Sequence, residues 1–305
     1  MDYVENITGK TEIKTLQMIK WIGIPKSRYY YWRENDSVPD KSKAVIPKRH
    51  WILDWERQSI IEYALKHIGE GYRRLTYMMI DENVTAVSPS TVYRVLKRAG
   101  LLNKWNEVKR SMKGTGFIQP TEFNQDWHID IKYINHKGIF LFLITIIDGY
   151  SRYIVHHDLR LHMTERDVEI VVQCAVDKYS IACPKIISDN GSQFISKDFA
   201  SYLKLLGLKH IKTSIMYPQA NGKIERYHRT ISEECLRKKS MLDLQDARNQ
   251  ISEYVVIYNT KRLHSALNYL TPEDYVMGRQ EQKIKEREEK LKRAKELRYE
   301  AAHVS

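Results

Sequence analysis

The chain of 305 residues is 42% hydrophobic and 29% charged, the balance of a globular protein with room for two or three domains. Its longest apolar run, Ile139 to Ile147, is interrupted by Thr145 and falls far short of the roughly 20 residues that a membrane span requires. The opening MDYVENITGK lacks the basic and apolar regions of a secretion signal, and Cys174, Cys183 and Cys235 show no CxxC spacing, so a reduced cytoplasmic protein without a cysteine zinc site is expected.

Fifty Lys and Arg against 38 Asp and Glu leave a charge of +12, which points to a polyanionic partner such as nucleic acid. The excess is local. Residues 1–120 hold 21 basic and 13 acidic side chains (+8), 121–278 hold 20 and 19 (+1), and 279–305 hold 9 and 6 (+3).

From Thr11, apolar residues at Ile13, Leu16, Ile19 and Ile22 predict a helix that stops at Gly23-Ile24-Pro25, and Ser27 opens a second, basic and aromatic helix, SRYYYWRE. Residues 35–48, rich in Pro, Asp, Ser and Lys, read as a linker. A second helical unit follows over 49–102: a helix from Trp51 to His67, a break at Gly69-Glu70-Gly71, a helix from Tyr72 to Ile80, and a third helix capped by Ser90 and closed by Gly100. The basic segment 103–120, broken by Gly114, Gly116 and Pro120, reads as a second linker.

Strand character begins after it. Trp127 to Ile134 alternates, Gly138 to Ile147 is β-branched and aromatic, and Arg152 to Leu159 follows a DGYS turn, so three strands at hairpin spacing predict an antiparallel meander. A helix capped by Thr164 runs to about Ser180, a short strand covers Pro184 to Ser188, a helix Ser196 to Leu206, and a strand Leu208 to Thr213. Helices over Lys223–Arg237 and Leu244–Thr260 complete the order βββαβαβα. That order implies an α/β fold, an RNase H-like mixed sheet flanked by helices and preceded by small all-α helix-turn-helix-like domains. The tail 279–305 is a charged helix whose apolar stripe (Ile284, Leu291, Ala294, Leu297, Ala301) is too thin for a coiled coil; it reads as a solvated helix or one that docks on a partner.

Asp130, Asp189 and Glu225 stand where such a fold brings strand and helix ends together. Asp130 lies mid-strand in WHIDIKYI, where an uncompensated carboxylate is costly; Asp189 ends the strand KIIS; Glu225 sits in the first turn of a helix after PQANG. Each has an ordinary reading alone: a paired strand charge, a turn former, a carboxylate complementing a helix dipole. Together they form an oxygen-donor set suited to two Mg2+ or Mn2+ ions, which can stabilise both attacking and leaving oxygens in phosphoryl transfer.

The residues D, D and E, with 35 residues between the second and third, in WHIDIKYI, SDNGSQF and PQANGKIERYHRT, resemble the catalytic core of DDE transposases and retroviral integrases. YNTKRLHSALNYLTPEDY, together with the upstream GYRRL and STVYRVLKRAGLL, resembles bacterial insertion-sequence transposases of the IS-three family. The resemblance spans roughly residues 11–277. It implies an RNase H-like core over 121–278 with Asp130, Asp189 and Glu225 as catalytic and metal-binding triad, preceded by DNA-end-binding units at 1–48 and 49–102. It also implies a bacterial, nucleoid-associated enzyme that binds the inverted-repeat ends of a mobile element, cuts a strand and joins the 3′ hydroxyl to target DNA by a copy-out, paste-in route. A homodimer or larger assembly on DNA is expected. Many members carry a helix-turn-helix and leucine zipper on an upstream frame; no zipper precedes the first segment here, so an upstream-frame protein of the same element joins the implied partners.

Around the triad, helical spacing puts His228, Arg229 and Ser232 three, four and seven residues after Glu225. Arg229 is a candidate DNA-phosphate contact, with a salt bridge to Glu225 as the alternative. Asn190 and Gln193 are candidates for orienting phosphate or water. Tyr217, Gln219 and Asn221, with Pro218 and Gly222, form the expected active-site loop. His264, with Lys261 and Arg262, reads as basic cluster or as locally bonded histidine. Lys26, Arg28, Arg33, Arg73, Arg74, Arg94, Lys97 and Arg98 are the candidate DNA contacts of the helical units. The rival functions are an RNase H-like nuclease that does not join strands and a DNA-binding regulator with an inactive core.

Overall fold

The computed structural model describes residues 2–35, 51–102, 119–179, 183–213 and 221–304. The expected linkers at 35–48 and 103–120 and the loop residues Tyr217 and Gln219 lie outside them, apart from Asn35, which ends a helix, and Gln119 and Pro120. The chain divides into two compact units, residues 1–51 with 298–305, and residues 52–297.

In the first unit, α1 (Asp2–Lys10), which the sequence reading did not anticipate, precedes α2 (Thr15–Ile22) and α3 (Lys26–Asn35). Gly23 takes φ +75° and its N–H, with that of Ile24, satisfies the last carbonyls of α2, the device that ends a helix sharply. Val4, Met18, Ile19 and Tyr29 make its core.

The second unit opens with α4 (Asp54–Lys66), α5 (Tyr72–Asp81) and α6 (Pro89–Arg98) around Ile60, Leu75, Met79, Val92 and Leu96. The cap of α6 is Ser88, not Ser90: Ser88 Oγ accepts from Thr91 N, and Pro89 occupies the first helical position, where a missing N–H costs nothing. The meander follows as expected: β1 (Asp126–His136), β2 (Ile139–Asp148) and β3 (Ile154–Arg160) pair antiparallel in succession. After α7 (Glu165–Lys178), β4 (Lys185–Ser188) joins the other side of β1 in parallel. A short α8 (Ser192–Ile195) and α9 (Lys197–Leu205) lead to β5 (His210–Lys212), parallel to β4. The sheet order is β3-β2-β1-β4-β5.

Alternation along the strands divides the core in two. Trp127, Ile129, Ile144 and Ile146 meet Val168, Val172, Phe199 and Leu203 of α7 and α9. On the other face Ile134, Leu141, Leu143 and Ile154 meet α10 (Gly222–Ile231) and α11 (Leu244–Thr260) through Ile224, Tyr227, Ile251 and Tyr258. A mixed sheet with helices on both faces is the RNase H-like architecture. One turn of π-helix, Ser232–Leu236, continues α10 where a plain α-helix was expected. Short α12 (Pro272–Val276) and α13 (Gln280–Val304) end the chain.

The tail is not simply solvated. The Arg287 guanidinium donates to both oxygens of Asp81 (2.7 and 2.6 Å) and to the carbonyls of Asn268 (3.3 Å) and Tyr269 (2.7 Å). Lys290 Nζ donates to Ile80 O at 2.9 Å. Charged side chains therefore fasten the front half of α13 to the end of α5. Among the described residues no helix is long and apolar enough to cross a membrane.

Candidate active site

Register brings the first two acids together. β1 and β4 run parallel and their ladder ends with Ile129 opposite Ser188, so Asp130 and Asp189 each follow the last paired residue of neighbouring strands. Ile129 faces the α7/α9 core, so the alternation of β1 sends Asp130 to the α10 side. There His228 Nδ1 of α10 lies 3.4 Å from Asp130 Oδ2, while Asp130 Oδ1 accepts from Ile131 N. Asp189 Oδ1 accepts from Gly191 N at 2.9 Å, and Ser188 Oγ donates to Asp189 O. Glu225 is exposed on α10, one turn before His228 and on the same side. Sequence spacing pointed to Arg229; the structure brings His228 to Asp130 and leaves Arg229 exposed.

The first turn of α10 is tied down by groups the sequence did not announce. Lys223 Nζ donates to Gly149 O in the turn between β2 and β3 (2.8 Å). That turn is organised by buried Asp148. Its Oδ1 accepts from Asn124 N, and its Oδ2 from the N–H of Tyr150 and from both N–H and Oγ–H of Ser151. Burial nevertheless raises the Asp148 pKa, the four hydrogen bonds offsetting only part of the desolvation. Gly149 allows close approach: its N–H reaches Asp126 O at 2.7 Å, and a Cβ there would stand 3.1 Å from that oxygen, from His128 Nε2 and from Pro120 Cγ. His128, fully buried beneath, has its pKa pushed down to about 3 by desolvation and the nearby Lys223 and Arg152 charges. Desolvation, with Arg152 adding to it, brings Lys223 down to about 7. The only textual signal for this layer was DGYS, which read as a turn.

Three carboxylates are hard oxygen donors, the chemistry that magnesium or manganese prefers. Among the described residues no three His, Cys, Asp or Glu side chains close on one point as a preformed cage. Magnesium does not need one, since it keeps several waters and takes one or two carboxylates. Asp130 and Asp189, each just past the last paired residues of β1 and β4, supply carboxylates of that kind.

Of the remaining candidates, Asn221 is buried, its Oδ1 without a hydrogen-bond partner among the described residues. Asn190 Nδ2 donates to Thr213 O, which makes it a brace between β4 and β5, and Gln193 Oε1 accepts from Ser192 Oγ. Lys26, Arg28 and Arg33 on α3 are exposed, as are Arg73 on α5 and Arg94, Lys97 and Arg98 on α6. Arg74 is placed differently from these cations. It turns inward to Glu70 (2.5 Å) and Glu234 (3.7 Å), and Arg262 makes two further bonds to Glu234 (2.7 and 2.6 Å). His264 is buried, its backbone N–H donating to Leu270 O and its ring edge-on to Tyr258 at 4.6 Å, and burial holds its pKa well below the ordinary value.

Residues 120–218 and 206–272 match two integrase core domain families, which together span the sheet, α10, α11 and the segment up to the start of α12. The chain belongs to the DDE transposases. It is thereby a polynucleotidyl transferase with an integrase-type core. It is 29% identical over 228 residues to the transposase of insertion sequence IS904 from Lactococcus lactis, covering 69% of this chain and 88% of that one. Against the IS2 transposase InsD of Escherichia coli it is 26% identical over 229 residues, 70% and 76% of the two chains. Among solved structures, the HTLV-2 integrase catalytic core in complex with magnesium superposes with a TM-score of 0.42 at 19% identity, covering 51% of this chain and 97% of that one.

Proposed function

We propose that this transposase binds the inverted-repeat ends of its own element, cuts one strand at an end, and joins the exposed 3′ hydroxyl to target DNA through a copy-out, paste-in route. Asp130, Asp189 and Glu225 act as the acidic triad. What supports this reading is the register of β1 and β4, whose last pair, Ile129 and Ser188, immediately precedes Asp130 and Asp189, with the contact of Asp130 to His228 on the helix that bears Glu225.

Each side chain has a defined task. Ile131 N and His228 orient the Asp130 carboxylate, and Gly191 N orients Asp189. Lys223, bonded to Gly149 O, holds the first turn of α10 and with it Glu225. Asp130, Asp189 and Glu225 would hold the hard cations, two ions in all. When bound, magnesium or manganese supplies activation of water or a 3′ hydroxyl and neutralises charge at the phosphorus. No protein nucleophile is needed. The exposed cations of α3 and α6, with Arg73 and Arg229, hold duplex phosphates. Two ends must be joined, so the active form on DNA is a dimer or larger, to which an upstream-frame protein of the element is a candidate addition.

Asp130→Asn, Asp189→Asn and Glu225→Gln in the full chain test the triad with DNA bearing the element's ends. Cleavage and joining fall together by about a hundredfold or more while end binding stays within about twofold, because a ligand is lost and not the fold. Near-normal rates in magnesium would remove the triad. Cleavage by the parent protein with no joined product would replace transposition by simple nuclease action.

A further inference from the structure

A cleft of about 540 Å³ on the second unit is lined by Tyr72, Arg73 and Tyr77 of α5, Tyr93 and Arg94 of α6, and Tyr269, which follows the α11 segment. None of its lining residues is acidic. Tyr72 and Tyr93 meet edge to face at 5.2 Å, and Tyr77 and Tyr269 stack at 4.7 Å with 17° between planes. The Arg73 guanidinium sits 5.7 Å from the Tyr72 ring centre and donates to Tyr72 Oη at 3.1 Å. Tyr93 keeps 38% of its surface open.

Tyr269 is held there against its backbone preference. It has φ +57° after Asn268 at +52°, the left-handed region that a bulky side chain rarely adopts. Arg287 bonds both carbonyls of this turn, and Tyr269 N donates to His264 O at 2.8 Å. Glycine at 269 would make the same turn without strain. What the strain secures is an aromatic ring in the cleft.

Aromatic faces, two guanidinium groups and no carboxylate suit an unpaired nucleotide: its base has a face to stack, its phosphate a charge to pair. A base inside a duplex offers no such face. We propose that this cleft takes one unpaired nucleotide of a DNA strand, its base against the tyrosines and its phosphate against Arg73 and Arg94. The inference rests on the proposed binding of DNA by α6 and adds a separate site to it.

The test uses the full chain and a duplex of about 30 base pairs, blunt or with a tail of about three nucleotides carrying 2-aminopurine. The tailed duplex binds about tenfold tighter than the blunt one, with quenched fluorescence, and a tail of the same charge lacking bases loses that advantage. Tyr93→Leu and Tyr269→Gly, the second of which relieves backbone strain and so preserves folding, abolish the preference and leave blunt-duplex affinity within about twofold. Blunt binding without preference for a tail, preference retained in both variants, or equal gain from a baseless tail each overturns the cleft while sparing duplex binding. Absence of binding to either DNA overturns both.

Discussion

Arg287 is 5% exposed and Asp81, on α5, is its only carboxylate partner among the described residues. Asp81→Ala leaves the guanidinium with two carbonyls and the Tyr77 ring, 4.8 Å away, as its surroundings. Removing one member of a buried pair typically costs about 3–5 kcal/mol. The Asp81 side chain is 28% exposed, so water reaches part of the gap and the cost falls at the lower end, about 3 kcal/mol. Arg287→Met strands the partly exposed carboxylate and removes the bonds to the Asn268 and Tyr269 carbonyls, and costs about 2 kcal/mol. The double variant is then more stable than Asp81→Ala alone, because the orphaned charge is gone. Urea unfolding gives the three differences, and hydrogen exchange locates them. Protection should fall at the end of α5 and in the Asn268–Tyr269 turn, with β1 and β2 unchanged. A loss below about 1 kcal/mol for Asp81→Ala, or a double variant no better than that single one, would refute the idea that this pair fastens α13 to the helical unit.

His157 is held neutral, its pKa lowered to about 4 chiefly by burial, with His156 and Lys178 opposing its charge and Asp158 favouring it. Its ring is 3.2 Å from Ser252 Oγ of α11. The unfolded chain takes up this proton near pH 6.5, so the stability it supports is complete above that pH and lost as pH falls towards 4, at up to about 1.4 kcal/mol per unit. Urea curves from pH 7.5 to 4.5 should fall more steeply for the parent than for His157→Gln, and parallel curves would contradict a histidine held neutral. Gly149→Ala forces a methyl group to within 3.1 Å of Asp126 O and should cost about 1–3 kcal/mol by thermal melting, with catalysis lost further through the displaced Gly149–Lys223 bond; a neutral substitution would show that the turn has room.

Elements with strong periodicity were legible. The bounds of α11 match the expected Leu244–Thr260, and β1 to β3 differ by one or two residues at their ends. Local chemistry decided finer points that periodicity does not reach. Two serines flank Pro89, and only the one before it is free to cap, since Pro belongs at the first helical position. The π turn at Ser232–Leu236 leaves no mark in an apolar pattern, yet it carries Glu234 to Arg74 and Arg262. In the site, the spacing of Asp130, Asp189 and Glu225 was legible because strand ends and a helix start are visible as pattern. Which neighbour of Glu225 meets Asp130 was not. Consecutive helical residues point about 100° apart, and the rotation of α10 is set by Ile224, Tyr227 and Ile231 packing against the sheet.

The same reasoning explains α13. An apolar stripe is the signal by which a helix is usually assigned a face, and its sequence offers too few such residues for one. Its attachment is polar: Arg287 and Lys290, one turn apart in practice, reach a carboxylate and two carbonyls at the end of α5, where helix carbonyls lack partners of their own. A helix C-terminus is a site for cations by geometry and by dipole. The charged tail and the C-terminal carbonyls of α5 are complementary, but the complement lies more than 200 residues away in sequence. Only the fold brings it near. The attachment ties the second helical unit to the segment bearing Tyr269, because one guanidinium bonds both the Asp81 carboxylate and the Tyr269 carbonyl.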